Sequence, residues 1–269
     1  MTGLSRIALL CALAAAMCAT AAHAQPSTII RNPKKVGQPV ILIVLPGLPA
    51  PRATPPATDM NLNHVAELWD VFSKAGCKVR YASADGGIVP IAHQPGDTAH
   101  AATRAFLAAK QHEALAKTER LSSLDMPAFR AVVFAGGPAA ISEYTDAAAV
   151  PLAVRATLAN PKSVVGCAGY GAAALLLAQR DDSTMVLTRM RVTCPSESEE
   201  EENGLSLVLR QRLETSLRRS GAIYFKDHPH QPSVVADDRI LTAQNLASTR
   251  KLAIDILVRL QQLDGALPK

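Results

Sequence analysis

The residues best suited to do chemistry in this chain stand in one stretch, Ser163-Val164-Val165-Gly166-Cys167-Ala168-Gly169-Tyr170-Gly171, followed by Ala172-Ala173-Ala174-Leu175-Leu176-Leu177. The β-branched run predicts a buried strand, the Ala/Leu run predicts a helix, and Cys167 stands where one becomes the other. That is the layout of a nucleophile elbow, a tight corner whose neighbours must be small, as Gly166, Ala168, Gly169 and Gly171 are. The first N–H groups of the helix would lower a thiol's pKa and hold an oxyanion, so Cys167 is the expected nucleophile. Packing is the competing reading, because free cysteine is among the most buried residue types and behaves as a small hydrophobe.

Such a corner needs a sheet behind it, and the chain alternates accordingly. Residues 40–45 are continuously apolar, which suits a strand buried on both faces. A Pro-rich loop follows, with Pro46, Pro49, Pro51, Pro55 and Pro56. Residues 62–75 carry Val65, Leu68, Trp69 and Phe72 at helical spacing, with Asn61 or Asn63 as cap and Gly76 as stop. The spacing predicts a second strand at 79–82, an inserted arm over about 88–125 with a helix around 99–117, and a third strand at 131–135. The third strand ends in Gly136-Gly137-Pro138, where backbone N–H groups can approach a ligand. A helix is expected at 150–158 before the corner, helices at 205–219 and 245–263 beyond it, and strands at 185–192, 222–225 and 234–236. Residues 196–202, five of them glutamate, read as a solvated loop. The alternation argues an α/β fold with a largely parallel sheet.

The start of the chain speaks to compartment. Residues 1–24 carry one charged residue, Arg6, an apolar run at 7–16, and Ala22-His23-Ala24 before Gln25, the pattern of a cleaved secretory signal. Met17 before Cys18 argues against lipid attachment, and the apolar run is too short to span a bilayer. The expected mature protein is secreted or periplasmic, with an extension at 25–38 and a single domain at 39–265. Losing Arg6 takes the formal charge only from +5 to +4, and the basic residues are scattered, so nucleic acid is not an expected partner. Cys77, Cys167 and Cys194 remain, an odd number in an oxidising compartment, so at least one is free or paired outside the chain. Cys77 and Cys194 read as structural. No C-x-x-C or His/Cys cluster signals a metal, and no cofactor is expected.

Four blocks together resemble the ThiJ/PfpI superfamily, which is related to the class I glutamine amidotransferases. They are residues 72–87 (Phe72 to Gly87), 129–137, the cysteine stretch, and 234–248. The long arm is most similar to the glyoxalase-III and heat-shock-chaperone-like branch. The resemblance implies a three-layer, flavodoxin-like sandwich with Cys167 at its nucleophile elbow. Members with glyoxalase-type activity carry Cys-His-Gly at the elbow, where this chain reads Cys167-Ala168-Gly169. They carry a glutamate eight residues before the aromatic matching Phe72, and here that place is His64. Ala243 and Leu246 replace a glycine and a proline of the last block. Amidotransferase chemistry is not implied, since neither His228 nor His230 is followed by the glutamate that chemistry pairs with histidine.

The chemistry these replacements leave is a Cys167–His64 pair, with the backbone N–H groups of Gly137 and Ala168 as an oxyanion hole, adding sulfur to a small reactive carbonyl. His64 as a mere lining or capping residue is the alternative. Three functions follow as expectations. The chain is an exported thiol enzyme of the glyoxalase-III or deglycase kind with altered machinery; or it is a relative that binds ligands or senses oxidation; or it is a holdase-type chaperone, with a homodimer as a possible assembly.

Overall fold

The central predicted runs at 40–45, 131–135 and 164–167 become strands enclosed on both faces. The computed structural model describes residues 38–47, 60–92, 97–207, 209 and 211–267, all within one compact unit, Lys35–Lys269. The expected leader, nearly all of the 25–38 extension and most of the Pro-rich loop lie outside the described residues.

In chain order the elements are β1 (Val40–Val44), β2 (Met60–Asn61), α1 (Leu62–Lys74), β3 (Lys78–Ser83), β4 (Ile91–Ala92), α2 (Ala101–Ala108), β5 (Glu119–Arg120) and β6 (Ala131–Gly136). There follow α3 (Ala140–Asp146), α4 (Ala149–Ala159), β7 (Val164–Gly169), β8 (Arg191–Val192), α5 (Glu197–Glu202), α6 (Leu213–Arg219), β9 (Ile223–Tyr224), β10 (Val234–Asp237), β11 (Ile240–Ala243) and α7 (Leu246–Leu263). The main sheet runs β10-β11-β7-β6-β1-β3-β5, parallel throughout except for the β10–β11 pair. From β1 the chain builds outward through β3 and β5, then returns to the other side of β1 for β6, β7 and β11. The direction of building therefore reverses between β1 and β6, and ligands of such sheets bind at the carboxyl ends beside that reversal. Gly47, Gly137, Tyr170 and Gln244 stand at that edge, just beyond β1, β6, β7 and β11.

Side chains alternate across each strand, so the sheet has two cores. On one face Leu42, Val132, Phe134, Val165 and Cys167 pack with Ile141 and Tyr144 of α3 and Val154 of α4. On the other Ile41, Val133, Val164 and Ala168 pack with Leu68 and Phe72 of α1 and Ile256 of α7. Asn61 caps α1 by accepting from the Asn63 N–H, and Asn245 caps α7 by accepting from the Ser248 N–H.

Several expectations change. The acidic run at 196–202 is a helix: Ser196 and Glu199 form a reciprocal capping box, and Glu199 and Glu200 are buried. The arm's expected 99–117 helix stops at Ala108 and passes through Lys110, whose φ is 56°, into a 3-10 turn. Only Leu213–Arg219 of the 205–219 run is helical; Leu205 donates back to the Glu200 carbonyl, and Leu207 is exposed. Of 185–192 only Arg191–Val192 is strand. The run after the corner is a six-residue 3-10 turn, Tyr170–Leu175.

Candidate functional site

Strand β7 turns its corner at Gly169, with φ 58° and ψ −127°, and the 3-10 turn begins at Tyr170. A side-chain-bearing residue is strained at such a φ, which is how an elbow presents its residue to a crevice. Cys167 lies two positions earlier, inside the strand, opposite Phe134 on one side and Thr242 on the other. It is fully buried in the face holding Phe134 and Tyr144, and burial pushes its thiol pKa well above the ordinary cysteine range. The expected elbow cysteine is therefore a strand-interior cysteine, and the elbow residue is a glycine.

The geometry around Gly169 identifies what an elbow side chain would face. A Cβ there would lie 3.4 Å from the Gly136 carbonyl oxygen, 3.6 Å from His64 Cε1 and 3.9 Å from His64 Nε2, all ordinary contacts. Gly171 is needed for another reason: a Cβ there would stand 2.0 Å from the Phe134 carbonyl oxygen, so only glycine lets the turn pass this close to β6.

His64, in the first turn of α1, is half-buried, with Nδ1 2.7 Å from Thr249 Oγ1 of α7. Burial pushes its pKa down to about 4, so the ring is neutral near pH 7. It faces residue 169 from the side of the sheet that carries α1 and α7, while Cys167 lies on the opposite side. The structure thus brings His64 to the elbow but not to Cys167. Of the two expected oxyanion donors, Gly137 follows β6 at the crevice edge, where its neighbour Gly136 stands opposite Gly169. Ala168 is a ladder position between Ala135 and Ala243, so the peptide entering the turn at Tyr170 takes its place beside the corner.

No family model matches the chain, and no curated protein does. Solved structures do. Glyoxalase III from Candida albicans superposes with a TM-score of 0.73 at 16% identity, covering 82% of this chain and 97% of its own. The 24-kDa rapid encystment protein of Francisella tularensis gives 0.70 at 24% identity over 83% of this chain and 99% of its own. A ThiJ/PfpI domain protein from Brachyspira murdochii gives 0.56 at 19% identity, covering 84% and 99%. The chain has the ThiJ/PfpI fold.

The corner itself reads Gly169-Tyr170-Gly171, two residues beyond Cys167-Ala168-Gly169. The signal was present in the sequence as Gly-x-Gly just before the Ala/Leu run, but Cys167 drew the reading to itself. Tyr170 is nearly buried; burial and then the neighbouring Glu200 carboxylate push its hydroxyl pKa upward. Burial raises the Glu200 pKa, and Arg212, donating from Nη1 at 2.9 Å, opposes that rise.

Sequence reasoning missed Glu199 altogether. Its carboxylate accepts from the backbone N–H groups of Ser196 (3.0 Å) and His230 (2.8 Å) and from the amides of Gln244 (2.9 Å) and Asn245 (2.7 Å). It ties α5 to the carboxyl end of β11. Cys77 and Cys194 are buried and, like Cys167, not in a disulfide; burial pushes the Cys77 thiol up to about 11. Among the described residues no cluster of His, Cys, Asp and Glu could hold a metal, and no helix is long and apolar enough to cross a membrane.

Proposed function

We propose that this chain is a ThiJ/PfpI protein that has given up thiol catalysis and uses its elbow crevice to bind a small ligand. The observation that carries the reading is Gly169 at the corner: the residue facing His64 has no side chain, so no nucleophile stands where the fold presents one. Cys167 does not replace it, because a thiol buried in the opposite core with a raised pKa supplies essentially no thiolate near neutral pH. His64 is neutral and offers Nε2 towards the corner, beside the Gly136 carbonyl. That is a polar lining for a small molecule. Since the similar Candida protein is a glyoxalase III, small carbonyl compounds are the ligand class to test first.

Export belongs to the same proposal. It rests on the 1–24 leader pattern, and sequencing the protein recovered from the periplasm should begin at Gln25.

The functional test is methylglyoxal consumption by the native protein and by Cys167→Ala. Loss of methylglyoxal should stay at the uncatalysed rate for both. Turnover that disappears in Cys167→Ala would restore the thiol-enzyme reading and end this one.

A further inference from the structure

At the far end of β7 from the corner, a cavity of about 170 Å³ opens beside the amino ends of β7 and β11. Its lining is Arg155, Leu158 and Ala159 of α4, then Arg180, Asp181 and Arg239. Three guanidinium groups and one carboxylate line it, with Asp238 beside Arg239 (3.8 Å) and Asp182 near Arg180. We propose that this cavity binds a small phosphomonoester, with the phosphoryl group held between Arg155 and Arg180.

Arg239 builds the floor. It donates to the carbonyls of Leu158 (2.7 Å), Asn160 (2.7 Å) and Ser163 (3.2 Å). Those bonds cap the carboxyl end of α4 and offset the negative end of its dipole, which would otherwise repel an anion. The other two arginines are only partly engaged. Arg155 gives Nε to Asp181 Oδ1 at 3.0 Å, and Arg180 gives Nη2 to the Val186 carbonyl at 3.3 Å. Both terminal nitrogens of Arg155 and the Nε and Nη1 of Arg180 have no hydrogen-bond partner among the described residues. Planar donors of this kind match the oxygens of a phosphoryl group. The Arg155–Asp181 pair does not close the site, because both side chains are exposed, Asp181 the more so, and such pairs are weak and exchange readily. Leu158 and Ala159 supply an apolar wall for a short carbon chain.

The site is separate from the elbow. The six residues of β7 put roughly 17 Å between them, so one can fail without the other.

The test is a calorimetric titration of the full chain with inorganic phosphate and with glycerol phosphate, using chloride and acetate at matched ionic strength as controls. Both phosphates should bind saturably, glycerol phosphate more tightly, and the controls should not. Arg180→Ala and Arg155→Ala alter exposed side chains, and each should weaken binding about tenfold or more, the scale of one lost charge-assisted bond. Asp181→Asn, which removes the competing carboxylate, should tighten it. Tighter binding of phosphate alone with no gain from the glycerol part would leave an adventitious ion only. Equal binding by native protein and both arginine variants, or no saturation, overturns the proposal.

Discussion

Cys167 and Gly169 are two residues apart in one strand and live in different parts of the molecule. The period of two sends Cys167 into the core beneath α3, while the positive φ at the strand end turns position 169 towards His64. Cys167 is enclosed in the packing of one face, and the residue at the corner, Gly169, carries no side chain. Residue type singles out 167, and backbone conformation puts the corner at 169.

The strongest way to break this contrast is to place a thiol at each position in turn. In Gly169→Cys a small alkylating reagent such as iodoacetamide should modify the introduced thiol faster than Cys167 by roughly three orders of magnitude or more, because a core thiol reacts only through opening of the fold. Peptide mapping after timed labelling gives both rates from one sample. Similar rates, or faster reaction at Cys167, would show that the corner does not face the crevice.

A second experiment sharpens the contrast within the turn. At Gly169 an added methyl meets nothing closer than 3.4 Å, so Gly169→Ala should cost only backbone strain, about 1–2 kcal/mol. At Gly171 the same methyl would stand 2.0 Å from a backbone carbonyl oxygen, and Gly171→Ala should cost about 3 kcal/mol or more. Urea unfolding of the two variants measures both, and equal losses would mean that the turn does not pass this tightly over β6.

The sheet was legible because β1, β6 and β7 are apolar runs enclosed on both faces, and α1 announced itself by periodicity and an asparagine cap. The four-residue β11 and seven-residue α3 were too short to show a period. The acidic helix was missed because its carboxylates are satisfied by partners far along the chain, such as Gln244 and Asn245, which no local pattern reveals. The structure puts His64 beside Gly169 and Cys167 on the opposite face of the sheet, a property that shifts with a single residue of register.

The smallest predicted effect concerns the other side of the crevice. Burial lowers the His64 pKa from 6.5 to about 4, so the folded chain binds a proton there less readily than the unfolded chain. The neutral ring's contribution to stability is fully present above pH 6.5 and is lost as pH falls from there towards 4. Because the ring is half-buried, the loss between pH 7 and 4.5 should be about 1–2 kcal/mol. In His64→Asn, which can keep a hydrogen bond to Thr249 but does not titrate, that part of the pH dependence should vanish while the contribution of other groups stays. Urea unfolding of both proteins at the two pH values isolates it as a difference of differences. If the two lose stability equally, His64 is solvated in the folded state, and the crevice in front of Gly169 is open to water instead of being the dry, neutral lining that a small carbonyl ligand would meet.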